Sequence, residues 1–276
     1  MLGQSQGISL RLRSRTHSWA SEIPVLDTKV RCQGCQAGEP LPFTFTMAFH
    51  PIVDLERKTV WGYEALVRGT EGQSAGQILS QVDEERQYKF DQACRVKAIE
   101  LAGRLFPRDT SARLSINFMP NAVYEPAACI RTSLETASRV GFDTRRIMFE
   151  FTENERMADT KHVARIIAEY KRLGFITAID DFGAGHAGLN LLANFQTDLI
   201  KIDMELIRGI TDSAARRAII SGILVMARAL DITVIAEGIE TQAELATLKD
   251  AGVQLFQGFL FARPAIETLP EVSFSV

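Results

Sequence analysis

The chain has 276 residues, of which 46% are hydrophobic and 24% charged, and its formal net charge at pH 7 is -3. These values are ordinary for a globular protein, and the slightly acidic balance argues against nucleic-acid binding through a broad basic face. No apolar run is long enough to predict a membrane span, so we expect neither a nucleic-acid polymer nor a membrane as a partner.

Residues 1–44 differ from the rest of the chain because Gln, Ser, Arg, Gly and Pro dominate and hydrophobic periodicity is weak. We predict a partly disordered tail or linker here. It contains a CxxC pair, Cys32 and Cys35, without further zinc ligands at a compatible spacing. An inert pair is favoured, with redox or metal sensing as the alternative. The N-terminus lacks the apolar core of a secretory signal, and four cysteines are too few for a disulfide framework, so we expect a cytoplasmic protein.

Residues 45–276 are predicted to form one domain, which starts with two strands at 47–53 and 59–67. The polar turn 54–58 between them predicts an antiparallel hairpin. A helical stretch follows from about 74 to 106, with a break near Asp83.

Strands and helices then alternate along the chain. Strands are predicted at 113–118, 146–151, 175–180, 198–202, 232–236 and 253–256. Helices are predicted at 121–139, at 159–173, near 187–194, from after 202 to about 230, and at 241–250. Gly141, Gly174 and Gly252 lie where helices should end. This α/β alternation is typical of a barrel or a doubly wound sheet, and the number of units favours a (β/α)-barrel.

Five of the apolar runs end on polar side chains that suit metal binding or catalysis. These side chains are Asn117, Glu150, the pair Asp180 and Asp181, Lys201, and Glu237. In a barrel the carboxyl ends of the strands converge on one face, so these residues predict a shared pocket rich in carboxylates. Such a pocket needs cations to be stable.

Glu64, Asn117, Glu150 and Asp180 offer only oxygen ligands, which favours Mg²⁺ or Mn²⁺ over zinc. A bend at the end of the strand could also aim Asp181 at a metal. Two ions about 3.5–4 Å apart suit hydrolysis of a phosphodiester. Lys201 could hold the attacking water or take its proton, with Glu237 as a matching negative charge or a further metal contact. Arg68 is a natural ligand for phosphate.

A Gly-rich loop follows the two aspartates, with the sequence Phe182-Gly183-Ala184-Gly185-His186. Directly after an acidic strand end, it is interpreted as a loop that gates the site or positions a metal. Its DFG tripeptide does not indicate a protein kinase, since the other kinase motifs are missing.

Several short sequence motifs occur in the order found in one known family. Glu64-Ala65-Leu66 with Arg68, the strand Ser115-Ile116-Asn117 and the segment Glu150-Phe151-Thr152-Glu153 are three of them. Asp180-Asp181-Phe182-Gly183, Lys201-Ile202-Asp203, Ala236-Glu237-Gly238 and Gln257-Gly258-Phe259 complete the set. Over about Phe45 to Pro264 the chain resembles the EAL-domain cyclic-di-GMP phosphodiesterases, and the ordered set is highly specific.

The resemblance implies a modified TIM (β/α)8 barrel with one antiparallel strand, and a cytoplasmic, dimeric hydrolase of bacterial second-messenger signalling. The reaction would be hydrolysis of cyclic-di-GMP to linear pGpG with two Mg²⁺ or Mn²⁺ ions. The implied metal ligands are Glu64, Asn117, Glu150, Asp180, Asp181 and Glu237. Lys201, Glu64 and Glu237 would be catalytic, and substrate would contact His50, Leu66, Arg68, Asp203 and Gln257. Glu153 would anchor the Gly-rich loop, which in this family lies near the dimer interface.

Three residues depart from the family pattern. His50 stands where the family usually has Gln, while Ala184 and His186 replace the common Thr and Tyr of the loop. None of them removes a metal ligand. The alternatives are a catalytically weak or silent domain that binds cyclic-di-GMP as a receptor, and an interaction module. The complete ligand set favours an active enzyme.

Overall fold

A computed structural model of the chain describes residues 40–152, 159–185 and 188–275. Nine strands form one sheet. They are β1 Phe45–Asp54, β2 Thr59–Gly69, β3 Arg113–Asn117, β4 Ile147–Thr152, β5 Ile176–Phe182, β6 Leu199–Ile202, β7 Thr233–Ala236, β8 Leu255–Gln257 and β9 Ala265–Ile266. The helices are α1 Ala75–Leu79, α2 Gln87–Leu105, α3 Pro126–Cys129, α4 Arg131–Val140, α5 Thr160–Arg172, α6 Gly188–Asn194, α7 Met204–Ile207, α8 Ala214–Ala229 and α9 Gln242–Ala251.

The sheet closes into a barrel of eight strands. Strands β2 to β8 pair in parallel in sequence order, and β1 joins β8 to β2 by antiparallel pairing on both sides. The expected modified TIM barrel with one antiparallel strand is therefore confirmed. The short strand β9 pairs with β1 outside this ring and was not predicted, because two residues carry no periodic signal.

The hydrophobic core has two layers. Apolar side chains fill the inside of the barrel, and all of them come from its strands, as is usual for this fold. They are Ile52, Met148, Ala178, Leu199, Ile235 and Leu255. A larger cluster lies between the barrel and the surrounding helices, where α2, α5 and α8 bury one face each. The packed interior leaves the mouths of the barrel as the places where a site can form.

The prediction of one helix over 121–139 is wrong. Residues Pro120–Ala122 form a 3-10 turn, α3 ends at Cys129, and α4 begins only at Arg131. Pro126 explains the interruption, because proline disfavours a helical residue before it and is best placed in the first turn of a new helix. The predicted helix ends at Gly141 and Gly252 are confirmed, and both glycines adopt left-handed backbone conformations.

Cys32, Cys35 and most of the predicted tail lie outside the described residues. Just after that segment, Leu41 and Phe43 pack against the core, and the ring centroids of Phe43 and Phe90 are 6.1 Å apart. Cys94 and Cys129 are both buried. Within the described ranges, no helix has the length and apolar character needed to cross a membrane.

Candidate active site

The parallel strands β2 to β8 end at one mouth of the barrel, and each contributes a polar side chain there. The contributors are Glu64 on β2, Asn117 on β3, Glu150 on β4, Asp180 on β5, Lys201 on β6, Glu237 directly after β7, and Gln257 on β8. The structure therefore brings together the residues that the sequence predicted at one site. The reason is geometric, because parallel strands of a barrel place their carboxyl ends on the same face.

Lys201 occupies the centre of this site. Its side chain is only 1% exposed, and its ammonium group faces four carboxylates. The Nζ atom lies 2.7 Å from Glu237 Oε1, 3.0 Å from Asp180 Oδ1, 3.1 Å from Glu150 Oε1 and 3.4 Å from Glu64 Oε2. One ammonium group cannot neutralise four carboxylates in a buried place, so the cluster carries an excess of negative charge.

The excess charge shows in the acid–base properties of the carboxylates. Burial raises the pKa of Glu150 well above its usual value, and Lys201 offsets this only in part. Burial likewise raises the pKa of Glu237, helped by repulsion from Asp180. For Glu64, burial opposes ionisation, but Lys201 and Gln257 outweigh it and hold the pKa at about 2.

The pKa of Lys201 is raised as well. Burial favours the neutral amine, but Asp180, Glu150 and the other carboxylates dominate and raise the pKa of Lys201 well above its usual value. Without added cations Lys201 is therefore an ammonium ion, which can donate hydrogen bonds but cannot take a proton. Positive charge beside the ammonium group would lower the pKa of Lys201.

Two side chains of β3 hold the acids in place. The Asn117 amide Nδ2 donates to Glu64 Oε1 at 3.0 Å and to Glu150 Oε1 at 3.1 Å. Ser115 Oγ donates a short hydrogen bond to Glu150 Oε2. Ser115 received no role from the sequence, although it lies two residues from Asn117 and a strand places such residues on the same face.

Asp181 departs from the extended strand that precedes it. Its φ is +52°, and the pairing of β5 with β6 shifts register between Ile179 and Phe182. Aspartate tolerates this left-handed conformation better than most residues do. The bend gives Asp181 a carboxylate oxygen within 4.8 Å of those of Asp180 and Glu237. Burial, with repulsion from Asp180 and Asp203, raises the pKa of Asp181 to about 7.

The oxygen atoms of the site fit divalent cations. Glu64, Glu150 and Asp180 form one group whose carboxylate oxygens lie within 4.8 Å of one another, and Asp180, Asp181 and Glu237 form a second group. Asp180 belongs to both, and its Oδ1 is buried with no hydrogen-bond partner among the described residues, although it lies near Lys201. A set of ligands made only of carboxylate oxygens suits Mg²⁺ or Mn²⁺.

His50 and Gln257 form a hydrogen-bonded pair at the edge of the acids. Gln257 Nε2 donates to His50 Nδ1 and to Glu64 Oε2, both at 2.8 Å. The opposite ring nitrogen, His50 Nε2, lies 3.2 Å from the carbonyl oxygen of Ala262. These partners define a neutral imidazole that accepts at Nδ1 and donates at Nε2, and burial lowers the pKa of His50 accordingly.

Two recesses flank the acids. One, of about 380 Å³, is lined by His50, Leu66, Arg68, Asp203, Glu237, Gln257 and Phe259, among others. The other, of about 650 Å³, extends towards α1 and α2 and is mostly apolar. Glu64 and Leu66 line both. The two recesses leave space for a ligand on both sides of the acids.

The residues that were predicted to bind substrate lie near this site, and some of them contact other parts of the protein. Arg68 Nη1 donates to the carbonyl oxygen of Val67 at 2.7 Å. Asp203 begins α7, where its side chain accepts a hydrogen bond from the Glu205 backbone at 2.7 Å. Leu66 is half-buried. Their contact with substrate stays a prediction.

Part of the Gly-rich loop falls outside the described residues, including His186, and so does the predicted loop anchor Glu153. Ala184 is described, and its backbone N–H donates to the Asp181 carbonyl oxygen at 3.1 Å. This turn keeps the start of the loop close to the acids. The anchoring role of Glu153 remains a prediction.

The sequence matches the family model described as "EAL domain" over residues 43–264. The chain belongs to the EAL domain family. Its matched residues contain all the site side chains described above, and the resemblance noted in the sequence is confirmed.

Solved structures of family members carry the same fold. A standalone versatile EAL protein from Vibrio cholerae O395, in a c-di-GMP-bound form, is 53% identical, with a TM-score of 0.82 over 86% of this chain and 100% of that chain. Klebsiella pneumoniae BlrP1, in a manganese and cyclic-di-GMP complex, is 34% identical, with a TM-score of 0.78 over 86% of this chain and 60% of that one.

Two curated relatives come from Escherichia coli K12. The blue light- and temperature-regulated antirepressor BluF is 34% identical over 82% of this chain and 56% of its own length. The probable cyclic di-GMP phosphodiesterase PdeA is 32% identical over 55% of this chain and 21% of its own length. The chain thus spans at most about half the length of these curated relatives.

Proposed function

We propose that this chain hydrolyses one phosphodiester bond of cyclic-di-GMP to give linear pGpG, and that it requires two divalent cations, Mg²⁺ or Mn²⁺. The observation that carries the proposal is the pair of overlapping acid groups that share Asp180 beside the buried ammonium of Lys201. Relatives named for cyclic-di-GMP binding or hydrolysis support the choice of substrate.

The cations would be held by Glu64, Asn117, Glu150 and Asp180, with Asp181 and Glu237 completing the second position. Bound there, they would supply positive charge that activates water and stabilises a phosphoryl oxygen. Asn117 donates its amide hydrogens to Glu64 and Glu150 here, so its side-chain amide would turn over to present the carbonyl oxygen to a cation held by those acids.

Lys201 would hold the attacking water by donating a hydrogen bond from its ammonium group. Its four carboxylate partners fix the position of Nζ in the centre of the site. Glu237, with the shortest of these contacts, would orient Lys201. With added positive charge beside it, Lys201 could also exchange a proton with the water, because its pKa would fall.

Substrate would lie across the mouth of the barrel, with the reacting phosphate over the acids and one nucleoside in each flanking recess. Arg68 lines the smaller recess and would contact a phosphate through its guanidinium fork. His50 and Gln257 line the same recess, and Leu66 lies between the two. Asp203, beside Asp181, would accept hydrogen bonds from the nucleoside in the smaller recess.

The decisive experiment is incubation of the purified chain with cyclic-di-GMP and either Mg²⁺ or Mn²⁺, followed by chromatography. We expect a single product that elutes as pGpG, and no product when EDTA is present. Binding of cyclic-di-GMP without any product in either metal would contradict the proposal.

The second candidate is a receptor or interaction module that binds cyclic-di-GMP without hydrolysing it. The relative BluF is named as an antirepressor, and a regulatory name favours this second candidate. The complete set of acids around Lys201 argues for the enzyme. The same incubation separates the two, since a receptor would retain the substrate unchanged. A homodimer is expected in either case and is measured by light scattering.

A further inference from the structure

A buried ion pair lies behind the acids, on the side that faces away from the barrel axis. Asp91 and Arg95 are one turn apart on α2, their side chains are 1% and 0% exposed, and Arg95 Nη2 lies 2.6 Å from Asp91 Oδ2. Ionised groups buried this completely are rare in proteins. Neither residue belongs to the acid cluster around Lys201.

A buried ion pair adds little net stability to a fold, because both charges lose their hydration. Replacement of a buried ion pair by apolar side chains of similar volume is often neutral or stabilising. Here burial raises the pKa of Asp91 although Arg95 opposes it, and Arg95 Nε has no hydrogen-bond acceptor among the described residues. The pair therefore needs an explanation other than stability.

The Asp91–Arg95 pair contacts residues next to Asn117 and Glu150, at the ends of β3 and β4. The Arg95 guanidinium lies 5.4 Å from the ring centroids of both Phe118 and Phe149. Phe118 follows Asn117 directly, and Phe149 directly precedes Glu150. Because side chains alternate along a strand, the two rings point outwards onto Arg95 while the two polar side chains point into the site.

Asp91 and Tyr170 add further contacts between the ion pair and the chain at β3 and β4. Asp91 Oδ1 accepts a hydrogen bond from the backbone N–H of Met119 at 2.9 Å, two residues beyond Asn117. Arg95 Nη1 donates to the hydroxyl of Tyr170 on α5 at 2.8 Å, and the Tyr170 and Phe149 rings are 5.0 Å apart. The pair thus contacts the chain on the outer side of both β3 and β4.

We propose that Asp91 and Arg95 are positioning residues that set the separation of Asn117 and Glu150, and through it the affinity of the site for a divalent cation. This inference rests on the metal site of the proposed function. Groups behind a metal ligand commonly change affinity about 10-fold to 100-fold when they are removed.

The test measures Mn²⁺ binding to the full chain by electron paramagnetic resonance, which detects free Mn²⁺ without any turnover. The variant Asp91→Leu/Arg95→Met replaces the pair by apolar side chains. We expect it to unfold cooperatively at a temperature equal to or above that of the parent chain, yet to bind Mn²⁺ about tenfold more weakly. A structural role alone would leave the Mn²⁺ dissociation constant unchanged.

Two matched variants sharpen the test. Asp91→Asn/Arg95→Met also removes both charges but keeps an acceptor for the Met119 N–H, so it should recover part of the lost affinity. Glu100→Gln removes an exposed ion pair of the same helix with Arg139 and should bind Mn²⁺ as the parent chain does. If the apolar pair does not fold, Arg95→Lys takes its place, because it keeps the charge and loses the planar contacts.

The outcomes separate the two proposals. If the parent chain and Asp91→Leu/Arg95→Met bind Mn²⁺ equally well, the positioning role is wrong and the metal site stands. If the parent chain does not bind Mn²⁺ at all, the metal site of the proposed function is wrong, and the positioning role falls with it.

Discussion

The imidazole of His50 accepts a hydrogen bond at Nδ1 from the side-chain amide of Gln257, at 2.8 Å. The same amide nitrogen donates to Glu64 at 2.8 Å, so His50 and Glu64 together orient Gln257. His50 is thus part of the network at the acids, although it stands where the EAL resemblance leads one to expect glutamine. A glutamine could accept from Gln257 and donate to the Ala262 carbonyl in the same way.

Replacement of His50 should weaken substrate binding. His50→Leu removes the hydrogen bond that orients Gln257 in the recess, so we expect kcat/KM to fall by roughly tenfold, mainly through KM. His50→Gln is the control and should stay within about threefold of the parent chain. Steady-state kinetics with cyclic-di-GMP measures both, and an unchanged KM in His50→Leu would count against this network.

Loss of Glu64 should abolish turnover. In the proposed site its carboxylate holds a cation, and it also faces Lys201 at 3.4 Å. We expect Glu64→Ala to reduce the rate of pGpG formation by at least about 100-fold, because a lost ligand removes the charge that stabilises the transition state. The rate is measured by chromatography at saturating Mn²⁺. An undiminished rate would show that the metal site is wrongly assigned.

The excess of carboxylates around Lys201 should lower the melting temperature of the protein when no cation is bound. Glu237→Gln removes one of four acids around Lys201, and Glu237 is an acid whose burial raises its pKa. We expect a higher melting temperature than for the parent chain in EDTA, and a smaller rise when Mn²⁺ is added. Differential scanning calorimetry measures both values. A lower melting temperature in EDTA would mean that its contact with Lys201 outweighs the repulsion.

Removal of the N-terminal segment should leave activity largely intact. The truncation is best placed before Pro40, because Leu41 and Phe43 pack against the core. We expect kcat and KM of the chain that starts at residue 40 to stay within about twofold of the full chain, since the strands that carry the site side chains all lie between residues 45 and 257. A large loss would indicate that the segment with Cys32 and Cys35 regulates the barrel. The double variant Cys32→Ser/Cys35→Ser would then test the thiols themselves.

Much of the fold followed from local patterns. The hairpin, the break near Asp83 and the order of strands and helices after residue 113 were all predictable, because β-branched runs and glycine stops are local signals. The prediction of one helix over 121–139 is wrong, because Pro126 starts a new helix at α3. Strand β9 pairs with Ala48 and Phe49 of β1, beside the part of β1 that pairs with β8, and no local pattern in the sequence indicates this contact.

The sequence by itself determined the fold and the polar side chains at the ends of the strands, because apolar runs that end on such residues, in a family-specific order, are local signals. Only the tertiary structure decided how these groups interact. That Lys201 meets four carboxylates, that His50 is a neutral acceptor, and that Asp91 and Arg95 lie behind Asn117 depends on contacts between residues far apart in the chain. Burial then sets their charges, and burial is a property of the packed barrel rather than of any segment.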